Sequence, residues 1–278
     1  MTEPGNANGG LSRLTGTRWE GVTRLAETAS TNTVLIAQAQ DGAPEGTVVV
    51  AEHQTAGRGR FDRRWESPPG ASLLFSVLLC PPVAELPPGR RHLAVAAVSL
   101  AVAASVRVVA GAGAGAELAL KWPNDLVVAS GHLAGRKVAG ALAESVPLPT
   151  PAFAMVVGLG LNVHWAPGGG TAACVDDLTS TPADRDELMV EALLALDELY
   201  GRWDLVSRRY REACATVGQS VTVSFGPPPA PSDLLGTAVD VDPDGRLVVR
   251  TSLGEVVKVA AGDVVHATPA GPPRVNQQ

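Results

Sequence analysis

The apolar positions of this 278-residue chain fall into two textures, with a change near Thr216. Before it, apolar residues come in blocks long enough for buried strands and helices. "ASTNTVLIAQAQ" sets Ser30, Thr31 and Asn32, all good N-cap types, ahead of an apolar-rich run, which predicts a helix. "GTVVVAE" (46–52) and "SLLFSVLL" (72–79) predict buried strands. "LAVAAVSLAVAASV" (93–106) predicts an alanine-rich buried helix, because a membrane span needs about 20 apolar residues. "ELALKWPNDLVV" (117–128) predicts strand, turn and strand, with Pro123, Asn124 and Asp125 in the turn. "RKVAGALAES" and "FAMVVGLGLNV" predict two further strands, and residues 186–206 one long amphipathic helix. "GAGAGA" (111–116) lies between a helix and a strand, the reverse of the dinucleotide-binding order, and is read as a linker.

After Thr216 the runs shorten and alternate. "QSVTVSF", "VDVDPDGRLVVRT" with its Asp-Gly turn, and "GEVVKVAAGDVVHA" predict about fifty residues of short strands, the size of an SH3-like barrel. The expected organisation is a frayed, disordered segment over 1–15, a catalytic region over 16–215, the small β-domain over 216–269 and a tail over 270–278. The fold class expected is α/β (α+β), with a mixed β-sheet.

Charge changes this picture at one place. The chain carries a formal net charge of −6, which argues against general nucleic-acid affinity. Yet within "AEHQTAGRGRFDRRW" (51–65) the loop from Gly57 to Trp65 holds Arg58, Arg60, Arg63 and Arg64 against a single acid, Asp62. Glycines let backbone N–H groups approach an anion, and arginine offers phosphate or carboxylate a planar fork of donors. The plain alternative is a solvated turn. Three widely separated cysteines, without metal-ligand spacing, read as reduced thiols of a cytoplasmic protein. The N-terminus has no basic segment followed by an apolar one, so neither a signal peptide nor a membrane association is expected.

Four further motifs carry polar groups at element ends. "KWPND" groups an ammonium (Lys121), an amide (Asn124) and a carboxylate (Asp125) at a corner, where an Asp can help hold Mg²⁺; taken alone, the motif reads as an Asn-Asp turn without chemistry. "GRKVAG" puts Lys137 at the start of an apolar strand, reaching into a pocket or snorkelling at an edge. "GLGLNV" ends a strand with two glycines and Asn162, whose amide can read the edge of a base such as adenine; otherwise it is a strand kink. "STN" (30–32) serves a ligand, a helix cap or both. No serine–histidine–acid order, zinc motif or Walker loop is found, and the histidines have no ligand spacing.

In order, "STN", "AEHQTAGRGR", "KWPND", "RKVAG" and "GLGLN" make the sequence resemble the biotin–protein ligases over residues 16–215 and on into the small β-domain. The resemblance implies a class II synthetase and lipoate-ligase-like catalytic domain with a mixed β-sheet, followed by an SH3-like barrel. It implies biotin contacts at Ser30, Thr31, Asn32, Gln54, Arg58, Gly59, Arg60, Lys137, Gly140 and Gly158. Lys137, Arg58 and Arg60 would be catalytic. Arg63, Trp65, Lys121, Asn124 and Asn162 would hold ATP or the adenylate, and Asp125 a metal. Biotin and Mg·ATP would react to biotinyl-5′-AMP, and a lysine on the biotin carboxyl carrier domain of an acyl-CoA or pyruvate carboxylase would take the biotinyl group.

Family loops read Gly-Arg-Gly-Arg-x-Gly-Arg, and here the later glycine is Asp62, which predicts a stiffer loop. About fifteen residues precede the catalytic region, so no direct DNA binding is expected, and a monomer or weak homodimer is. The rival readings are a lipoate or octanoate ligase of the same fold, and a non-enzymatic biotin sensor.

Overall fold

A computed structural model of the chain describes residues 10–111, 118–147, 153–225, 233–260 and 262–266. The glycine-alanine linker therefore lies almost wholly outside the described residues, as does the tail beyond 266. The centre is a seven-stranded mixed sheet. It comprises β1 (Val22–Thr28), β2 (Val48–Gln54), β3 (Ser72–Leu79), β4 (Leu118–Lys121), β5 (Asp125–Val128), β6 (Lys137–Val146) and β7 (Ala154–Asn162). Their order is β1-β2-β3-β7-β6-β5-β4, with β1 and β2 parallel and every other pair antiparallel.

β3 and β7 are buried along their whole length, as continuous apolar runs in mid-sheet must be. Alternation then sorts their side chains. Met155, Val157, Leu159 and Leu161 of β7 join Leu73, Phe75 and Val77 of β3 in the main core. That core is closed by α2 (His92–Ala110), α3 (Arg185–Leu199) and α4 (Trp203–Glu212). The other face carries α1 (Thr31–Gln40), whose Leu35 and Ala39 pack on Val49, Leu78 and Val156. α1 covers only part of that face.

A second sheet follows, built from β8 (Ser220–Ser224), β9 (Leu234–Val241), β10 (Leu247–Arg250), β11 (Val256–Val259) and β12 (Asp263–His266), in the order β11-β10-β9-β8-β12. The Asp-Gly turn expected between β9 and β10 is present. Asp242 Oδ1 accepts from the N–H groups of Asp244 and Arg246, and Gly245 takes φ 76°. Its carbonyl accepts from Trp122 Nε1 at 3.0 Å, which bolts the turn to the corner between β4 and β5.

Three expectations are corrected. The single helix over 186–206 is two, α3 and α4, because the chain turns through Tyr200, Gly201 at φ 82° and Arg202. The alanine-rich helix runs 19 residues rather than 14. Its apolar side chains are nonetheless spent on the core, where Leu93, Ala97, Val102 and Val106 are inaccessible or nearly so. Residues 10–14, placed in the frayed segment, form a helical turn whose Leu14 is fully buried in the cluster that contains Trp19. Truncating that anchor removes buried methyl groups and leaves a cavity. Leu14→Ala is therefore expected to cost about 2–5 kcal/mol in urea unfolding, where a frayed residue would cost almost nothing.

Candidate active site

The uncovered part of the α1 face is a cavity, and its floor explains itself through β-strand alternation. On this face β7 presents Val156, then Gly158, Gly160 and Asn162, so the side chains disappear where the cavity begins. A Cβ on Gly158 would overlap Asn32 Oδ1, and one on Gly160 would overlap the Trp65 indole. Gly140 of β6 lies in register with Gly160 and completes the flat floor. The ring that packs on this strand at Gly160 is the indole of Trp65.

α1 starts at the cavity wall. Ser30 is its N-cap residue, yet its side chain makes no capping hydrogen bond; the N–H of Thr31 goes instead to Gln54 Oε1 at 2.7 Å. The buried Ser76 donates to Asn32 Oδ1 at 2.6 Å and lies 2.7 Å from Thr31 Oγ1. These hydroxyl and amide groups are thereby fixed at the cavity wall.

The arginine loop is a small hairpin. Trp65 N–H donates to Gly57 O at 3.0 Å, Gly59 N–H to Arg63 O at 2.6 Å, and Arg58 bridges to Arg64. Gly57 is required there, since a Cβ would run into the Trp65 carbonyl. At the tip Phe61 takes φ 54°, the left-handed region that L residues disfavour, so the backbone strain lies one residue before Asp62. The Arg60 guanidinium sits 5.0 Å from the Phe61 ring centroid. It donates to Gly262 O, immediately before β12, at 3.0 Å and to Asn124 Oδ1 at 3.4 Å. Asn124 Nδ2 in turn donates to Ala141 O at 2.7 Å.

Ser30, Thr31, Asn32, Gln54, Arg58, Gly59, Arg60, Lys137, Gly140 and Gly158, the ten residues expected at biotin, all line this one cavity. So do Arg63, Trp65, Asn124 and Asp125. Lys121 and Asn162 do not; they line a second, wider cavity alongside. Arg64, Trp65, Asp125 and Lys137 border both, so the junction of the two is marked by two cations, a carboxylate and an indole. Lys137 Nζ lies 2.7 Å from Asp125 Oδ1 and 5.6 Å from the Trp65 ring centroid.

That ion pair bears on Asp125 as a metal ligand. Its carboxylate already holds the ammonium, and among the described residues no three His, Cys, Asp or Glu side chains gather in a metal-binding group. A resident metal cage does not fit this donor set. In the second cavity two buried polar atoms, Trp65 Nε1 and Asn162 Oδ1, lack a hydrogen-bond partner among the described residues, while Asn162 Nδ2 donates to Ala173 O at 3.1 Å. Buried polar groups are almost always paired, so a free acceptor beside a cavity is an open position for a ligand donor.

The sequence reading missed Gly160, Ser76 and Glu144. Gly160 was signalled by the strict alternation of β7. Ser76 and Glu144 had no local signal, because they matter only through partners on other elements: Glu144 accepts from Asn32 Nδ2 and from Arg58 Nη2.

Comparison with known proteins places this geometry. Residues 25–162 match the biotin/lipoate A/B protein ligase family, and residues 217–267 match the biotin protein ligase C-terminal domain. The chain is 37% identical over 258 residues to the biotin–(acetyl-CoA-carboxylase) ligase of Mycobacterium tuberculosis, spanning 90% of this chain and 91% of that one. It is 31% identical to the enzyme of the same name from Paracoccus denitrificans, spanning 85% and 97%. Its fold is similar to that of the biotin protein ligase from Aquifex aeolicus in complex with biotin and ATP, with a TM-score of 0.71 at 21% identity over 89% of this chain and 99% of that one. Matches to both regions, and a relative this similar along nearly its whole length, leave one placement: the chain belongs to the biotin protein ligase family.

Proposed function

We infer that the protein activates biotin with ATP and transfers the biotinyl group to a lysine on the carrier domain of a biotin-dependent carboxylase. The observation that carries this reading is the pair of adjoining cavities with Lys137 on their border. One suits biotin, with fixed hydroxyl and amide groups against a glycine floor. The other suits the nucleotide, where the open Asn162 Oδ1 can accept from the exocyclic amine of adenine.

In the first step a biotin carboxylate oxygen attacks the α-phosphorus of ATP. The bond to the β-phosphate oxygen breaks, and pyrophosphate leaves with the electron pair. Two anions must meet, so the barrier falls chiefly through positive charge that is already in place. Lys137, held by Asp125 at the junction, is positioned to touch both the carboxylate and the α-phosphate. Arg60, Arg63 and Arg64 bring further charge from the hairpin. Mg²⁺ accompanies the triphosphate as part of the substrate and neutralises its charge. In the second step the carrier lysine, as a neutral amine, attacks the acyl carbon of biotinyl-5′-AMP. The acyl–phosphate C–O bond breaks, AMP leaves, and loss of a proton gives the amide. Water would destroy the mixed anhydride in between, so the hairpin serves as its cover.

Carrier domains of acetyl-CoA or related carboxylases are the natural acceptors, and three free thiols, Cys80, Cys174 and Cys214, suit a reducing cytoplasm.

Biotin-dependent pyrophosphate release, with and without an apo carrier domain, tests the assignment. Release with lipoate or octanoate in place of biotin would move the protein to the sister activity. Binding of biotin without release would leave a sensor. Lys137→Ala should lower kcat for that release by about 10²–10³, the size of a lost electrostatic group at a reacting centre. Gly160→Ala should displace Trp65 and raise the KM for ATP by about tenfold, as overpacking of 1–3 kcal/mol would. Arg60→Gly should free the hairpin tip from Gly262 and Asn124 and let biotinyl-5′-AMP escape. The readout is biotin label on a bystander protein, and label confined to the carrier would contradict the covering role.

A further inference from the structure

Glu144 lies on β6 in register with Val156 of β7, at the edge of the biotin cavity rather than among the residues that line it. Its Oε2 atom accepts from Asn32 Nδ2 at 2.7 Å and from Arg58 Nη2 at 2.9 Å. The first tie ends on α1, and the second on the root of the arginine hairpin. Asn32 is otherwise held by Leu142 O, 3.2 Å from Nδ2, and by the Ser76 hydroxyl on Oδ1. Arg58 Nη2 also reaches Thr33 Oγ1 at 3.2 Å. One carboxylate thus joins three segments that the chain keeps far apart.

A carboxylate only accepts, so Glu144 dictates which end of the Asn32 amide faces it, and thereby turns Oδ1 toward Ser76 and the glycine floor. Its bond to the guanidinium is charge-assisted, hence directional. The Arg58 side chain consequently points back along α1. This leaves Arg58 as the fixed end of the hairpin, and Arg60 and Arg63 farther out toward its tip.

We propose that Glu144 is a positioning residue for the ligase reaction: it anchors Arg58 at the root of the hairpin and orients Asn32, so that the biotin cavity is assembled before biotin arrives. The identity of the ligand rests on the ligase reading. The anchoring of the hairpin does not.

Two measurements on the full chain test it. The first needs no turnover. In limited trypsin digestion without ligands, Glu144→Ala should be cut after Arg60, Arg63 or Arg64 about tenfold faster than the unmodified protein, as expected when a local opening loses a charge-assisted tie. An unchanged rate overturns the anchoring. The second is the KM and kcat split in biotin-dependent pyrophosphate release. Glu144→Ala should raise the biotin KM about tenfold and leave the ATP KM within about twofold, while Glu144→Gln, which keeps an acceptor of the same shape, should raise it about threefold.

Because Glu144 acts largely through Arg58, the double variant Arg58→Ala/Glu144→Ala should stay within about threefold of Arg58→Ala alone. Additive losses, or an unchanged biotin KM, overturn the proposal. If Glu144→Ala does not fold, Glu144→Gln carries both measurements, with faster cleavage and a raised biotin KM still required. If the unmodified protein releases no pyrophosphate with biotin, the ligase reading fails, and the digestion alone decides the anchoring.

Discussion

The constraint on which the rest of the structure depends is the absence of side chains at Gly140, Gly158 and Gly160. A central sheet normally buries both faces under side chains. Here the main-core face is filled by every second residue of β3 and β7, while the opposite face goes bare over three positions on two adjacent strands. α1 can cover only the part where Val49, Leu78 and Val156 offer it something to pack against. What remains must be filled by groups that come from elsewhere: the Asn32 amide, the Trp65 indole and the ligand. The placement of α1, the reach of the arginine hairpin and the shape of the cavity are all answers to that bare patch.

The charge distribution follows the same logic on a larger scale. The protein is acidic in total, yet its cations meet at the border of two cavities, where two anionic substrates must be brought together. Each cation beside the cavity whose partner is resolved is held by a group of opposite or complementary polarity. Lys137 has Asp125, Arg58 has Glu144, and Arg60 has a carbonyl and an amide oxygen. Orientation is thereby settled before substrates bind, and this is where preorganised electrostatics draws its advantage over water.

Much of this was legible in the sequence, and the boundary of legibility has a physical form. Motifs whose chemistry is local could be read directly. Ser30 to Asn32 open a helix, and four arginines and two glycines between Gly57 and Trp65 make one cationic loop. The sheet strands were legible because β-branched runs have few other uses. What could not be read depends on partners distant in the chain. Ser76 and Glu144 look like ordinary strand residues until α1 is laid across them. Asp125 looks like a lone turn carboxylate until Lys137, on the neighbouring strand, is seen 2.7 Å from it. The break at Gly201 and the burial of Leu14 were misjudged for a related reason: periodicity continued through the first, and polar neighbours masked the second.

The bolt between Trp122 and the Gly245 carbonyl joins the corner that carries Asn124 and Asp125 to a turn of the second sheet. Trp122 is itself almost fully buried, and its backbone N–H is taken by Thr216 at the start of that region. If the second sheet came away, a buried indole and two polar hydrogens would lose their partners at once, next to the reacting atoms. The two sheets are thus linked in cooperativity, and they share one apolar core, since Val221, Val223, Ala238 and Leu247 of the smaller sheet belong to the cluster that holds Leu73 and Val157 of the larger. Loosening the smaller one disturbs the corner of the larger, and with it the placement of Asn124 and Asp125.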